Sequence, residues 1–224
     1  MTALCFFAGV ILEIVITMVV YTANRKFIFL MKKQKSLNRK SLNNMDETSK
    51  KLLILDLDET LIHATARKLE IKEDFKFDKY FIYKRPFLEN FLIEMSKYFT
   101  LGIWSSADDK YVLEIVNLIT PNNLNFEIVW GRSKCSKRKD DTFDEYYFEK
   151  RLDKLKKKGF KLEEIIIVDD TPEKSRTNYG NAVHIKEFSG STEDQELKYL
   201  QDYIVTLKDV ENIRQIEKRK WRFQ

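Results

Sequence analysis

The chain has 224 residues, a length that fits one domain of ordinary size with a short appendage. Hydrophobic residues make up 43% of it and charged residues 33%, with only 6 Gly and 3 Pro, which excludes a disordered or fibrous protein. The formal net charge of +5 lies largely in residues 25–40 and in the segment after Lys218, so we expect no specific nucleic-acid binding.

The first element along the chain is an apolar run, ALCFFAGVILEIVITMVVYTA, at residues 3–23, which is long enough to cross a bilayer as a helix. Glu13 opposes insertion by about 3 kcal/mol, but roughly eleven Leu, Ile, Val and Phe residues each return about 0.3–0.6 kcal/mol. Lys and Arg follow the run, so the positive-inside rule predicts a membrane anchor over residues 1–24 with the rest of the chain on the cytoplasmic side. The alternative is a chain that effectively starts at Met45, for which we expect a cytoplasmic protein.

Residues 25–50 are polar and basic without periodicity, which predicts a linker. From residue 51 onward, strand-like and helical patterns alternate along the chain. The strand-like runs occur at 52–58, 99–106, 126–130, 164–170 and 182–186, and the helical patterns occur at 86–98, 108–119, 146–158 and 192–210. This alternation predicts an α/β domain at 51–212, a doubly wound, Rossmann-like parallel sheet with helices on both faces, followed by a basic C-terminal tail at 213–224.

The sequence predicts where one helix ends and where another begins. The helix at 146–158 is expected to end at Gly159, because glycine readily adopts the left-handed conformation that closes a helix. The last helix is expected to begin with a capping box formed by Thr192 and Gln195.

Polar residues follow the strands where the strands end. Asp56 and Asp58 end the first strand, Ser105 ends the second, and Asp169 and Asp170 end the fourth. In sheets of this kind, ligands bind beyond the carboxyl ends of the strands. Carboxylates that converge there repel each other unless a cation is present, and an all-oxygen site favours a hard ion such as Mg²⁺.

The same motifs resemble a known family. DLDET at 56–60 matches the DxDxT signature of the aspartate-nucleophile phosphatases of the haloacid dehalogenase superfamily. The fuller order DLDETLIH, KRPFLENFL, IWSSAD, RSKC and IIIVDDTPE, within residues 51–210, is similar to the RNA polymerase II C-terminal-domain phosphatase-like (NLI-interacting-factor-like) family. That family includes Dullard-type membrane-anchored phosphatases. The resemblance implies a Mg²⁺-dependent phosphatase.

The resemblance also implies roles for the acidic residues. Asp56 would be the nucleophile that forms an aspartyl-phosphate. Asp58 would be the general acid for the leaving group and then the base for water, with its backbone carbonyl on Mg²⁺. Asp56 and Asp170 would coordinate the metal, and Asp169 would orient a metal-bound water or the site lysine. The family often has Asn where Asp170 stands, and Asp adds negative charge.

The remaining site residues are hydroxyls and a lysine. Thr60 and Ser105 would offer their hydroxyls to phosphoryl oxygens. Lys150, placed on the predicted helix before the fourth strand, matches the family lysine through its K-x-L-x-x-L context and would neutralise developing charge. Lys154 and Arg151 are nearby alternatives for this role.

The spacing of the motifs leaves little room for a cap. About 45 residues separate Asp58 from Ser105, and a similar number separate Ser105 from Lys150, too few for core elements and an independent domain of at least ~50 residues. Residues 64–84 alternate charged and aromatic residues, which predicts a small β-flap. A capless site of this kind is open, so it favours a phosphoserine or phosphothreonine on a protein substrate.

Two other functions stay open from the sequence. One is a small-molecule or nucleic-acid-end phosphatase on the same scaffold, and the other is a membrane-associated peptide-binding module. A binding module has no need to hold several costly polar groups together, so the intact set of Asp56, Asp58, Thr60 and Asp170 favours the enzyme.

Overall fold

A parallel five-stranded sheet lies at the centre of the computed structural model, which describes residues 50–140 and 144–223. The strands are β1 (Leu52–Leu55), β2 (Ile62–Thr65), β3 (Phe75–Phe77), β4 (Tyr80–Lys84), β5 (Thr100–Trp104), β6 (Ile128–Trp130), β7 (Ser136–Asp140), β8 (Glu145–Glu149), β9 (Ile165–Asp169) and β10 (Ala182–His184). The helices are α1 (Leu88–Tyr98), α2 (Asp109–Ile119), α3 (Asp153–Lys156) and α4 (Glu196–Thr206). The central sheet has the order β10-β9-β1-β5-β6, so the direction of chain progression reverses at β1.

Strand β1 is buried on both faces, as its uninterrupted apolar sequence indicates. Leu53 and Leu55 pack on one side, in the same hydrophobic cluster as buried residues of α1, α2 and α4. Leu52 and Ile54 pack on the other side, in a second cluster that includes Leu155 of α3. The predicted α/β fold with a doubly wound parallel sheet is therefore confirmed.

The two faces of the sheet are covered unequally. Three helices of 11 residues each cover the first face, whereas the second is covered by the single turn of α3 and by irregular chain. Helix α2 begins where the sequence predicts, because the Asp108 carboxylate accepts hydrogen bonds from the backbone N–H groups of Lys110 at 2.9 Å and Tyr111 at 3.4 Å.

The predicted helix at 146–158 is wrong over its first half. Residues Glu145–Glu149 form strand β8, which pairs antiparallel with β7. The spacing of Phe148, Leu152 and Leu155 fits a helix, but consecutive aromatic residues also favour strands, and pairing with β7 determines the structure of this segment. Only the turn at Asp153–Lys156 is helical, and Gly159 follows it with a left-handed φ of 92°.

The predicted capping box of the last helix is also wrong. Helix α4 begins at Glu196, and Gln195 at its N-cap position makes no side-chain hydrogen bond to the helix. Asp194 takes that role, since its Oδ1 accepts from the backbone N–H of Glu196 at 2.9 Å. Asp194 is already bound to a buried arginine, which fixes the carboxylate beside the start of the helix.

The predicted β-flap is confirmed as an antiparallel sheet with the order β2-β4-β3. It lies between β1 and α1 in the sequence, and its aromatic residues pack against α2. The ring of Phe77 contacts that of Tyr111 at a centroid distance of 5.5 Å, and the ring of Tyr80 lies 6.5 Å from it. The flap thus forms one wall beside the carboxyl edge of β1.

Residues 213–223 pack against the domain instead of extending from it as a tail. Ile213 and Trp221 are buried in the main hydrophobic cluster, and the Trp221 indole donates a hydrogen bond to the carbonyl of His184 at 2.8 Å. Lys218 is buried and donates to the carbonyl of Ile213 at 2.6 Å. The folded domain therefore continues past the expected boundary at residue 212.

The predicted anchor at 1–24 and nearly all of the predicted linker lie outside the described residues. Among residues 50–140 and 144–223, no helix combines the length and the apolar character needed to cross a membrane.

Candidate active site

The loop after β1 turns sharply at the carboxyl edge of the sheet. Glu59 has a φ of 58°, in the left-handed region, and the backbone N–H of Leu61 donates to the carbonyl of Leu57 at 2.9 Å. This turn lies where the strand order reverses, which is the usual ligand site of doubly wound sheets. The loop presents Asp56, Asp58 and Thr60 to that edge.

Asp56 is 1% exposed, and cations bind both of its carboxylate oxygens. The Lys150 ammonium lies 2.8 Å from Oδ1, and the Lys174 ammonium lies 2.9 Å from Oδ2. The backbone N–H of Leu57 also donates to Oδ1 at 2.8 Å. Burial raises the pKa of Asp56, but the two lysines together outweigh burial and hold the pKa at about 2. Asp56 is therefore ionised at neutral pH.

Asp58 is held in a different electrostatic environment. Its Oδ1 accepts from the hydroxyl of Tyr111 at 2.6 Å, and its Oδ2 accepts from the hydroxyl of Ser105 at 3.2 Å. Burial raises the pKa of Asp58, the negative charge of Asp56 raises it further, and the hydrogen bonds from Tyr111 and Ser105 offset only part of this increase. Two neighbouring carboxylates are thus shifted in opposite directions.

Three carboxylates form a candidate metal site. Asp56, Asp169 and Asp170 each offer an oxygen, and these oxygens all lie within 4.8 Å of one another. Thr60 Oγ1 donates to Asp170 Oδ1 at 3.2 Å, which orients that carboxylate. The donor set consists of oxygens only and carries high negative charge, so it fits a hard divalent ion such as Mg²⁺.

Of the three basic residues that the sequence offers for this role, Lys150 is the one that contacts Asp56. Its side chain is fully buried, and its ammonium lies 2.8 Å from Asp56 and 2.7 Å from Asp169 Oδ2. It follows β8 directly, so it reaches the site from the end of a hairpin and not from a helix. The two alternatives point elsewhere, since Arg151 binds Asp153 and Lys154 donates to a backbone carbonyl on the surface.

Ser105 and Thr60 bind site carboxylates through their hydroxyls. Ser105 Oγ donates to Asp58 and accepts from the backbone N–H of Ala107 at 3.0 Å. Both side chains are buried, at 1% exposure for Ser105 and 0% for Thr60. The five predicted catalytic residues and the predicted metal-binding residues therefore converge on one edge of the sheet.

Two residues of the site, Lys174 and Tyr111, were not predicted from the sequence. Tyr111 lies on the first turn of α2, and its contact with Asp58 depends on how that helix packs beside the β1 loop. Lys174 lies four residues after Asp170, and its position there is the only signal in the sequence that could have identified it.

A cavity of about 700 Å³ opens beside Asp58. Phe77 and Tyr80 of the flap and Tyr111 of α2 form its aromatic wall, and Lys110 and Arg132 add positive charge. The carboxylate of Asp58 thus lies at the border between the candidate metal-binding carboxylates and an open surface groove.

Comparison with known proteins identifies relatives of this domain. The family model for NLI interacting factor-like phosphatases matches residues 51–214. CTD small phosphatase-like protein 2 of Dictyostelium discoideum is 29% identical over 170 residues, which are 72% of this chain and 28% of that protein. Nuclear envelope morphology protein 1 of Saccharomyces cerevisiae is 27% identical over 80% of this chain and 44% of that protein. The chain thus spans less than half the length of these two relatives.

Other matches extend the comparison. CTD nuclear envelope phosphatase 1B of Danio rerio is 25% identical over 82% of this chain and 78% of that protein. Among solved structures, the fission yeast RNA polymerase II CTD phosphatase Fcp1 bound to beryllium fluoride is 18% identical, with a TM-score of 0.49. That match covers 79% of this chain and 55% of the solved chain.

Proposed function

The chain belongs to the NLI interacting factor-like phosphatase family, and we propose that it hydrolyses phosphomonoesters through an aspartyl-phosphate intermediate, with Mg²⁺ as cofactor. The observation that carries this proposal is the contrast between Asp56 and Asp58. Asp56 has its pKa lowered to about 2, whereas Asp58 has its pKa raised. Two-step phosphoryl transfer needs an ionised nucleophile beside a proton donor. A carboxyl with a raised pKa keeps its proton to a higher pH than an ordinary Asp does, which suits it to the second role.

In the first step, Asp56 attacks phosphorus and forms a new P–O bond while the bond to the leaving oxygen breaks. Asp58 gives its proton to the leaving oxygen, and the hydroxyls of Tyr111 and Ser105 hold its carboxyl group in place. In the second step, Asp58 removes a proton from water, and the water oxygen attacks phosphorus. Inorganic phosphate leaves, and Asp56 regains its carboxylate.

The cationic groups of the site would balance the charge of the phosphoryl group. Asp56, Asp169, Asp170 and the backbone carbonyl of Asp58 would hold Mg²⁺, which supplies positive charge to the phosphoryl oxygens. Lys150 is held between Asp56 and Asp169 without solvent exposure, so it keeps one cation beside the nucleophile throughout.

The open cavity supports phosphoserine or phosphothreonine on a protein as the substrate class. Its lining combines the aromatic rings of Phe77, Tyr80 and Tyr111 with the cations of Lys110 and Arg132. An extended peptide offers apolar side chains and phosphate oxygens to such a lining, whereas a small metabolite would be poorly enclosed. The family and the names of the matched phosphatases support the same class.

The test of the activity is hydrolysis of p-nitrophenyl phosphate by the full chain with Mg²⁺ or with EDTA. We expect Mg²⁺-dependent turnover that Asp56→Asn abolishes and that the surface variant Lys76→Met leaves unchanged. Rapid acid quenching during turnover of a radiolabelled phosphoester should recover label on the wild-type chain and none on Asp56→Asn. A folded, Mg²⁺-loaded chain without turnover would instead favour the peptide-binding module.

We also propose that residues 3–23 anchor the chain in a membrane with the domain on the cytoplasmic side. The apolar length of this run and the Lys and Arg residues that follow it support the proposal. Two of the matched relatives carry nuclear envelope names. In cell fractionation, the full chain should resist alkaline carbonate extraction, and a chain that starts at Met45 should be released. Release of both chains would contradict the anchor.

A further inference from the structure

Lys174 lies among the same three carboxylates that form the candidate metal site. Its ammonium is 2.9 Å from Asp56 Oδ2, 3.7 Å from Asp170 Oδ1 and 3.8 Å from Asp169 Oδ1. The oxygens that these three residues offer to a metal lie within 4.8 Å of one another. A single lysine thus interacts with every carboxylate of the cluster.

We propose that the Lys174 ammonium is an internal counter-cation for Asp56, Asp169 and Asp170, and that a divalent ion must displace it in order to bind. The lysine thereby weakens Mg²⁺ binding and stabilises the metal-free domain. This inference rests on the proposed function only in assigning the metal to these carboxylates. It adds a role for a residue that the catalytic steps do not use.

The competition follows from distance and charge. Mg²⁺ binds carboxylate oxygens at about 2.0–2.1 Å, so an ion on Asp56 Oδ2 would lie within about 5 Å of an ammonium that keeps its own contact at 2.9 Å. Two cations that share one oxygen repel each other strongly in a buried site. The ammonium therefore has to move away when the divalent ion binds.

Lys174 can move, whereas Lys150 is fixed. The Lys174 side chain is 20% exposed and projects from the 3₁₀-helical segment Pro172–Asn181. The Lys150 side chain is 0% exposed and is bound to both Asp56 and Asp169. The two lysines therefore have separate roles, one as a permanent partner of the nucleophile and one as an exchangeable cation.

The sequence places this lysine close to one of the candidate metal ligands. Lys174 follows Asp170 by four residues, and its ammonium lies 3.7 Å from Asp170 Oδ1. The Asp170 carboxylate strengthens the attraction for a divalent ion, and the lysine opposes it. The pair sets the Mg²⁺ concentration at which the site fills.

The first test is calorimetric titration of the full chain with Mg²⁺ in the absence of substrate. We expect Lys174→Met to bind Mg²⁺ at least tenfold more tightly than the wild type, and Lys76→Met, which alters an exposed lysine, to bind it as the wild type does. In EDTA, Lys174→Met should melt at a lower temperature than the wild type. Saturating Mg²⁺ should raise the melting temperature of Lys174→Met by more than it raises that of the wild type.

The second test needs no variant. Brief acetylation of the full wild-type chain, followed by peptide mass spectrometry, measures how accessible each lysine is. Saturating Mg²⁺ should increase modification of Lys174 several-fold and leave Lys150 protected.

Unchanged or weaker Mg²⁺ binding by folded Lys174→Met would overturn the inference, as would acetylation of Lys174 that Mg²⁺ leaves unchanged or reduces. Neither measurement depends on turnover. A chain that binds Mg²⁺ as expected but hydrolyses no phosphoester would refute the proposed function alone.

Discussion

The buried ion pair between Arg85 and Asp194 provides the most quantitative prediction. The Arg85 side chain is 0% exposed, and its Nε and Nη2 atoms each donate to a different carboxylate oxygen of Asp194 at 2.9 Å. Nη1 donates to the carbonyl of Thr60 at 3.0 Å, and Nη2 also donates to the carbonyl of Lys186 at 2.8 Å. The arginine therefore links the active-site loop to the chain after β10 and to the start of α4.

Asp194→Asn keeps the shape of the side chain and removes its charge, which leaves a buried guanidinium without its counter-ion. Removing one partner of a buried pair typically costs about 3–5 kcal/mol. Since Asp194 is 12% exposed and Asn retains one acceptor, we expect the lower end, about 3 kcal/mol. For a domain of this size, a loss of that magnitude corresponds to a melting temperature lower by about 6–12 °C.

The pH dependence gives an independent check on the same pair. Burial raises the pKa of Asp194, but the hydrogen bonds and charge of Arg85 outweigh burial and lower the pKa below its usual value. A carboxyl with a lowered pKa in the folded state stabilises the protein above its unfolded pKa, about 3.9 for Asp, and that contribution is lost as the pH falls through the folded pKa. The difference in unfolding free energy between wild type and Asp194→Asn should therefore be complete at pH 7 and shrink below about pH 4.

Urea unfolding of both chains at a series of pH values measures these quantities, and Asp153→Asn is the matched control. Asp153 also receives two hydrogen bonds from one arginine, Arg151, but that pair is on the surface, at 40% and 49% exposure. The control should lose no more than about 1 kcal/mol. Equal losses in the two variants, or a difference for Asp194→Asn that persists unchanged under acid conditions, would refute the reasoning.

Three further predictions concern the reaction. Asp58→Asn should lower kcat for a phosphoserine peptide by about 10²–10⁴-fold and leave calorimetric Mg²⁺ affinity unchanged, because it removes the proton donor to a poor leaving group and retains the candidate metal-binding carboxylates. A loss below tenfold on this substrate would argue against general acid catalysis. Tyr111→Phe removes a hydrogen bond that lowers the pKa of Asp58, so the alkaline limb of the pH profile of kcat should move to higher pH. A limb that does not move would exclude Asp58 as the group that titrates there. Phe77→Ala should raise KM for a phosphopeptide several-fold and change KM for p-nitrophenyl phosphate little, since Phe77 lines the cavity outside the candidate metal-binding residues. Equal effects on both substrates would mean that Phe77 only stabilises the fold.

The parts of the fold that the sequence predicts are those whose signals are local. The uninterrupted apolar run of β1 identifies a strand buried on both faces, and Asp56 and Asp58 follow it directly, so their position at the sheet edge comes from chain connectivity alone. Helix α2 is equally local, because its cap, Asp108, is adjacent to its first turn.

The features that could not be predicted depend on distant partners. Tyr146–Phe148 form a strand because β7 lies alongside, and the sequence of these residues does not reveal that partner. Lys174 reaches Asp56 only because the segment Pro172–Asn181 folds back over the end of β9. Ile213 and Trp221 belong to the core because the C-terminal chain returns to the helices, although the basic residues around them are typical of a tail.

A proton on Asp58 and a divalent ion on the neighbouring carboxylates would both make the charge of the site less negative. With all four carboxylates ionised, the two lysines leave the site negatively charged, and it repels a phosphomonoester dianion. Burial and the charge of Asp56 raise the pKa of Asp58, and a proton on Asp58 would remove one negative charge from the place where the leaving oxygen must lie. A divalent ion in the proposed place of the Lys174 ammonium would add positive charge at Asp56 Oδ2 without removing Lys150 from Oδ1. Together the two changes would cancel the remaining negative charge of the site, so substrate affinity should increase with Mg²⁺ and decrease as Asp58 loses its proton.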